Sequence, residues 1–127
     1  MVYDPTNMRL QLWEASLEQF QLDPLIGTGS GTYYYYGRQF RHESVQNDPQ
    51  HVHNDYLELH AEYGGVGAGL CLLFLTVHYV SGWVGMRRLV REKLQPSWRA
   101  QSNELALVIG GLSAAAAITA HSVIDFN

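Results

Sequence analysis

The stretch His51-Val52-His53-Asn54-Asp55 sets two imidazoles and a carboxylate at alternate positions. Residue types in that order serve two kinds of chemistry. Imidazole and carboxylate side chains gather round zinc, and His51, His53 and Asp55 spell the His-x-His-x-Asp arrangement of metal-dependent hydrolases. That reading lacks support, since position 56 is tyrosine rather than another histidine, no apolar strand precedes the loop, and no remote ligand set can be assigned. The other chemistry is general-base catalysis by one neutral imidazole. His53 falls at or just before a helix start, where backbone N–H groups and the positive end of the dipole favour anions and a neutral ring. Arg9 is the second residue of interest. At 100° per residue it lies about 20° from Phe20, at the edge of an apolar stripe formed by Leu10, Trp13, Leu17 and Phe20. A guanidinium placed there either snorkels over the surface or is aimed at an anion.

The elements that position these groups are helical. Asp4-Pro5 reads as a cap and first-turn proline of an amphipathic helix, which Asp23-Pro24 ends. Leu25 to Gly31 is a glycine-rich turn; it lacks the Gly-Lys-Ser/Thr ending of a phosphate-binding loop, so nucleotide binding is not expected, nor is a nucleic-acid partner. Tyr33 to Tyr36, beside Arg38 and Arg41, form an interfacial anchor or a sugar-stacking surface. Gln39 to Gln50 is polar and without periodicity. Asn54 or Asp55 then caps a short helix through Leu57, Leu59 and Ala61 that breaks at Gly64-Gly65. Glu58 and Glu62 share a face of it, and Glu62 either orients His53 or secures the packing.

Two apolar segments follow. Val66 to Val84 and Leu105 to Ile124 contain no Asp, Glu, Lys or Arg, and each is long enough for a hydrocarbon core of roughly 30 Å. Gly110, Gly111 and the Ala114 to Ala117 run are the expected contact surface between membrane helices. The connector at 85–104 carries Arg87, Arg88, Arg91, Lys93 and Arg99 and is expected on the cytoplasmic side. Residues 1–63, with nine acidic side chains against Arg9, Arg38 and Arg41, are then periplasmic, and His121 and Asp125 return to that face. A soluble domain with two core helices is the alternative, but two helices apolar on all sides are hard to cover in so small a chain. Cys71, the only cysteine, lies inside the first span, so no internal disulfide is possible. The polar start has no signal-peptide pattern. The expected fold class is therefore all-α: an integral membrane helical fragment whose extracytoplasmic loop region (amphipathic helix, glycine turn, short helix) precedes two transmembrane helices at 64–127. It is expected to be the carboxy-terminal piece of a larger polytopic protein.

The order Arg9, Trp13, Pro24-Leu25-Ile26-Gly27-Thr28-Gly29, His53-Asn54-Asp55-Tyr56-Leu57, Ala61-Glu62-Tyr63-Gly64, and finally His121-Ser122-Val123-Ile124-Asp125-Phe126 resembles the O-antigen ligase and polymerase family of bacterial envelope proteins. His60 and Gly65 depart from it, standing where aliphatic residues are usual. The resemblance implies a multi-pass inner-membrane glycosyltransferase that moves a glycan from an undecaprenyl diphosphate carrier to lipid A core or to another glycan, with inversion and with neither metal nor cofactor. It implies His53 as the base and Arg9 as the diphosphate-binding residue, with Asn54, Asp55, Glu62, His121 and Asp125 in support. The family's second functional arginine is absent here, so the isolated piece is expected to be inactive. A non-catalytic membrane scaffold is the reading from another class.

Overall fold

The computed structural model describes residues 5–43, 45, 48, 50–93 and 103–123. Asp4, Arg99 and Asp125 fall outside the described residues, and so does the sequence beyond Val123 in the closing motif. Among the described residues there are four helices and no strand, an all-α fold. The described parts of Met1–Cys71 and His121–Asn127 form one compact unit, and Leu72–Ala120 forms a second.

In the first unit, α1 (Pro5–Leu22) begins on a proline whose missing N–H would have been unbonded in any case. Its middle is rich in Leu, Gln, Glu and Ala, which lose little freedom in a helix. The buried face differs from the apolar stripe read in the sequence. Leu10 and Leu17 are 54% and 49% exposed, whereas Leu12, Ala15, Ser16 and Gln19, at i, i+3, i+4 and i+7, are buried. Two polar residues can occupy this face because their donors are used. Ser16 Oγ donates to the Leu57 carbonyl at 3.1 Å, and Gln19 Nε2 donates to Thr28 Oγ1 at 2.7 Å and Thr32 Oγ1 at 3.2 Å.

The tyrosine row is divided by the geometry of α2 (Tyr33–Phe40). Tyr33 is wholly buried and donates its hydroxyl to the Leu12 carbonyl at 3.2 Å, locking α2 to α1. Tyr35 is 69% exposed, Tyr36 stacks on Phe40, and Tyr34 carries the Arg38 guanidinium 4.5 Å from its ring centroid. Arg38 and Arg41 also hold Asp48 between them, so these cations serve the loop that follows. Burial, and after it the charge of Glu58, pushes the Tyr33 phenol well above the ordinary tyrosine range. Because the folded value is raised, this contribution to stability is complete below about pH 10 and fades as the pH climbs beyond it. Tyr33→Phe should therefore cost roughly 1 kcal/mol at neutral pH through the lost bond to Leu12. The same variant should flatten the alkaline fall in melting temperature. An unchanged alkaline slope in thermal denaturation would contradict that account.

The third helix, α3 (Asp55–Lys93), is interrupted at Gly64, where φ 63 and ψ −168 are not helical. A break strands carbonyls before it and N–H groups after it, and those groups must find partners. The backbone from Pro24 to Gly29 supplies partners for four of them. Thr28 N and Gly29 N donate to the Ala61 and Glu62 carbonyls at 3.2 and 2.9 Å. Gly65 N and Val66 N donate to the Pro24 and Leu25 carbonyls at 2.9 and 3.1 Å. The turn is itself set by Asp23, whose Oδ1 accepts from Leu25 N and Ile26 N. Main chain lies on main chain here, and both facing residues, Gly27 and Gly64, have positive φ.

In the second unit, α3 from Leu72 onward and α4 (Asn103–His121) meet through a hydrogen bond of 2.7 Å between Tyr79 and Thr119 hydroxyls. Leu112 rests on Gly82, where a Cβ would lie 2.6 Å from its Cδ2. Of the small residues expected to form the contact, Gly110 and Gly111 do not meet α3. Gly110 and Gly111 are exposed with nothing near them, and the surface instead uses Leu112 on Gly82 and the Thr119 hydroxyl. Both spans have a mean hydropathy of 1.5, and only 11% and 0% of their apolar windows are buried. Leu72, Leu73, Phe74, Leu107 and Ile118 are all outward and more than half exposed. The core helices of a soluble domain would be covered; these suit a bilayer, and α4 at about 28 Å is long enough to cross one.

Candidate functional site

The loop at 50–54 and the head of α3 carry His53, Asn54 and Asp55. Asn54 is the cap: its Oδ1 accepts from Tyr56 N at 3.1 Å and Leu57 N at 3.2 Å, and its carbonyl accepts from Glu58 N. Asp55 is exposed in the first turn, where its charge complements the helix dipole, and its N–H donates to the Ser122 carbonyl at 3.0 Å. The end of α4 thus meets the head of α3 through Ser122. His121, the last residue of α4, is exposed and has contacts of its own.

His53 is the conspicuous member. It is the only non-glycine residue among those described with positive φ, at 58, in the left-handed region that side chains seldom adopt. Its neighbours hold it there. Val52 is fully buried, Asn54 is nearly so, and Glu58 reaches back to accept from Val52 N at 3.0 Å and from His51 Nδ1 at 3.1 Å. The left-handed turn sends successive side chains in different directions. His51 is exposed on Glu58, Asp55 is exposed, and His53 Nδ1 is buried with no hydrogen-bond partner. The His-x-His-x-Asp set therefore does not converge, and no group of three His, Cys, Asp or Glu side chains gathers among the described residues.

Two side chains of α1 reach the first turns of α3. Phe20 meets His60 edge to face at 6.0 Å between centroids, and Ser16 bonds Leu57. Trp13 and Arg9 lie one and two turns earlier on α1. Arg9, Trp13, Ser16 and Phe20 span about 60° of helix surface and so form one stripe toward α3. Arg9 is half-buried and makes contacts within the fold. The Trp13 indole N–H, like His53 Nδ1, is buried without a partner. Such an orphan costs about 1–3 kcal/mol, which a ligand atom would recover.

Glu62 is buried and points elsewhere. Its Oε1 accepts from Tyr33 N at 3.1 Å, so it caps α2, where Thr32 supplies no side-chain bond. It secures packing rather than His53. Sequence reading missed Glu58 and Ser122, which bond the loop and the head of α3. Only Glu58 had a usable sign, an acidic residue in the first turn after the cap.

A model of the O-antigen ligase family matches residues 3–73, more than half of the chain and the segment that contains both Arg9 and His53. No curated protein and no solved structure matches the chain.

Proposed function

The chain belongs to the O-antigen ligase family, and from that premise we propose that it serves a membrane glycosyltransferase moving a glycan from an undecaprenyl diphosphate carrier to an acceptor hydroxyl of lipid A core or of a growing glycan. The observation that carries this reading is His53, whose strained backbone is fixed by neighbours and whose Nδ1 faces inward without a partner. Strain retained at a rigidly supported residue fits a preorganised catalytic group.

The chemistry follows from two residues. The acceptor hydroxyl passes its proton to the imidazole of His53 as its oxygen bonds to the anomeric carbon. The bond from that carbon to the diphosphate breaks, and its electron pair leaves on the phosphate oxygen. Arg9 holds the diphosphate and stabilises the growing charge, a task otherwise given to a metal. Attack opposite the leaving group inverts the anomeric centre. We place residues 1–63 on the periplasmic side of the bacterial inner membrane, with 64–127 as the two-helix region and 85–104 as its cytoplasmic connector. This placement is supported by Arg87, Arg88 and Arg91 at the far end of α3 from the loop.

The test is transfer in vesicles holding the purified protein and an undecaprenyl-diphosphate-linked glycan. Arg9→Ala should slow transfer roughly 10²-fold, and Arg9→Lys should restore only part of it, because lysine lacks the planar two-pronged donor. Wild-type rates in Arg9→Ala would remove the diphosphate role. Chelators should leave transfer unchanged, and loss of activity restored by zinc would favour the hydrolase reading instead.

A further inference from the structure

Between α3 and α4 of the second unit runs a groove of about 600 Å³, lined by Val80, Trp83 and Met86 on one side and Ile109, Leu112 and Ala116 on the other. It follows the helix pair for about 10 Å, and the bond between the Tyr79 and Thr119 hydroxyls marks one end. At the other end the chemistry changes. Arg87 lies one turn beyond Trp83 and about 40° round the helix, and its guanidinium sits 5.8 Å from the centroid of the Trp83 ring. The same indole therefore lines the groove and carries the cation. A second recess of about 340 Å³ begins at Val84, next to Trp83 in the chain, and is walled by Arg87, Arg88, Arg91 and Glu92. Arg88 is spoken for, because its Nε donates to Glu92 at 2.9 Å. No carboxylate among the described residues pairs with Arg87 or Arg91.

The charge-free span ends at Val84, so these arginines stand where hydrocarbon gives way to headgroups. A groove that is apolar along its length and cationic at its headgroup end complements an amphiphile with an anion on a hydrocarbon chain. A further membrane helix would suit the apolar part equally well, but it would have to bring carboxylates to the level of Arg87 and Arg91. A phosphodiester already carries its charge at that level. We infer that the groove binds an anionic phospholipid of the leaflet that the 85–104 connector faces, one acyl chain lying between α3 and α4 and the phosphate accepting from Arg87 and Arg91. Trp83 restrains the Arg87 side chain beforehand, which lowers the entropy lost when the phosphate is engaged. The site uses none of the residues assigned to glycan transfer.

The experiment titrates the delipidated full-length protein in detergent with dioleoyl phosphatidylglycerol or dioleoyl phosphatidylcholine and counts bound lipid by native mass spectrometry. Phosphatidylglycerol should bind roughly thirtyfold more tightly than phosphatidylcholine, Arg87→Gln should lose about fivefold of that preference, and Arg87→Gln with Arg91→Gln nearly all of it. Arg88→Gln changes the net charge equally but removes an arginine already held by Glu92, so it should change the affinity less than about twofold. Ala116→Trp, which fills the groove from α4, should weaken both lipids. Equal affinity for the two lipids in wild type overturns the inference. A loss in Arg88→Gln as large as that in Arg87→Gln also overturns it, since diffuse surface charge would then be the cause. If Val80→Cys, in a Cys71→Ser background, crosslinks to a second copy in phosphatidylglycerol vesicles, a helix covers the groove and the inference falls.

Discussion

His53→Ala and His53→Asn should each lower glycan transfer by about 10²- to 10⁴-fold, the usual contribution of a positioned general base, while the protein inserts in membranes normally. The two variants separate chemistry from backbone. Asparagine tolerates the left-handed conformation that His53 adopts at φ 58, whereas alanine pays about 1–2 kcal/mol to occupy it. The asparagine protein should then be the more stable of the pair and no more active. Its side chain has no group able to take a proton near neutral pH. Transfer rates measured beside melting temperatures decide the matter. If the asparagine protein transfers at the wild-type rate, His53 is a structural loop residue and the base lies elsewhere.

Gly27→Ala and Gly64→Ala should be the most damaging small substitutions outside the spans. A Cβ on Gly27 would lie 2.3 Å from the Glu62 carbonyl carbon, and one on Gly64 would lie 2.5 Å from the Leu25 carbonyl carbon. Both obstacles are backbone and cannot swing aside. Left-handed strain of about 1–2 kcal/mol adds to an overpacking cost of about 1–3 kcal/mol, enough to unseat a marginally stable fold. Gly31→Ala is the control. It has φ 71 but nothing within 4 Å of its added methyl, so it should carry the backbone strain alone. Thermal unfolding in detergent should rank Gly31→Ala well above the other two, and equal melting temperatures for all three would refute the close approach.

Much of this architecture was legible in the sequence, and the reason is chemical. The spans announce themselves through the absence of charge over lengths that fit a bilayer, and the break at Gly64 through paired glycines after a short capped helix. His53 and Asn54 were legible because an asparagine before a helical run is a cap. The buried face of α1 was not. An apolar stripe through Leu10 and Leu17 is the natural choice when partners are unknown, and nothing local reveals that Leu57 and Thr28 will satisfy Ser16 and Gln19. The same holds for α4, where Leu112 finds its seat on Gly82 of another helix and Gly110 and Gly111 stay open. Contacts distant in sequence decide these faces, and composition reports only what each residue could do. The His-x-His-x-Asp pattern fails to gather a ligand set among the described residues for a related reason. Alternate positions share a side only on extended backbone, and one residue at φ 58 scatters them.

The union of the glycine turn with the broken helix has a further consequence for how the chain tolerates change. Four bonds across it join peptide to peptide, beside the Thr28 hydroxyl on the Ala61 carbonyl and the Tyr63 hydroxyl on Ser30, and the side chains of Pro24, Leu25 and Ile26 are exposed, Leu25 and Ile26 to 67% and 64%. Mutational drift at those outer positions leaves the joint untouched. Its specification is written in two missing methyl groups, at Gly27 and Gly64, and in the Thr28 hydroxyl, so a saturation library should read as permissive at 24–26 and intolerant at Gly27, Thr28 and Gly64.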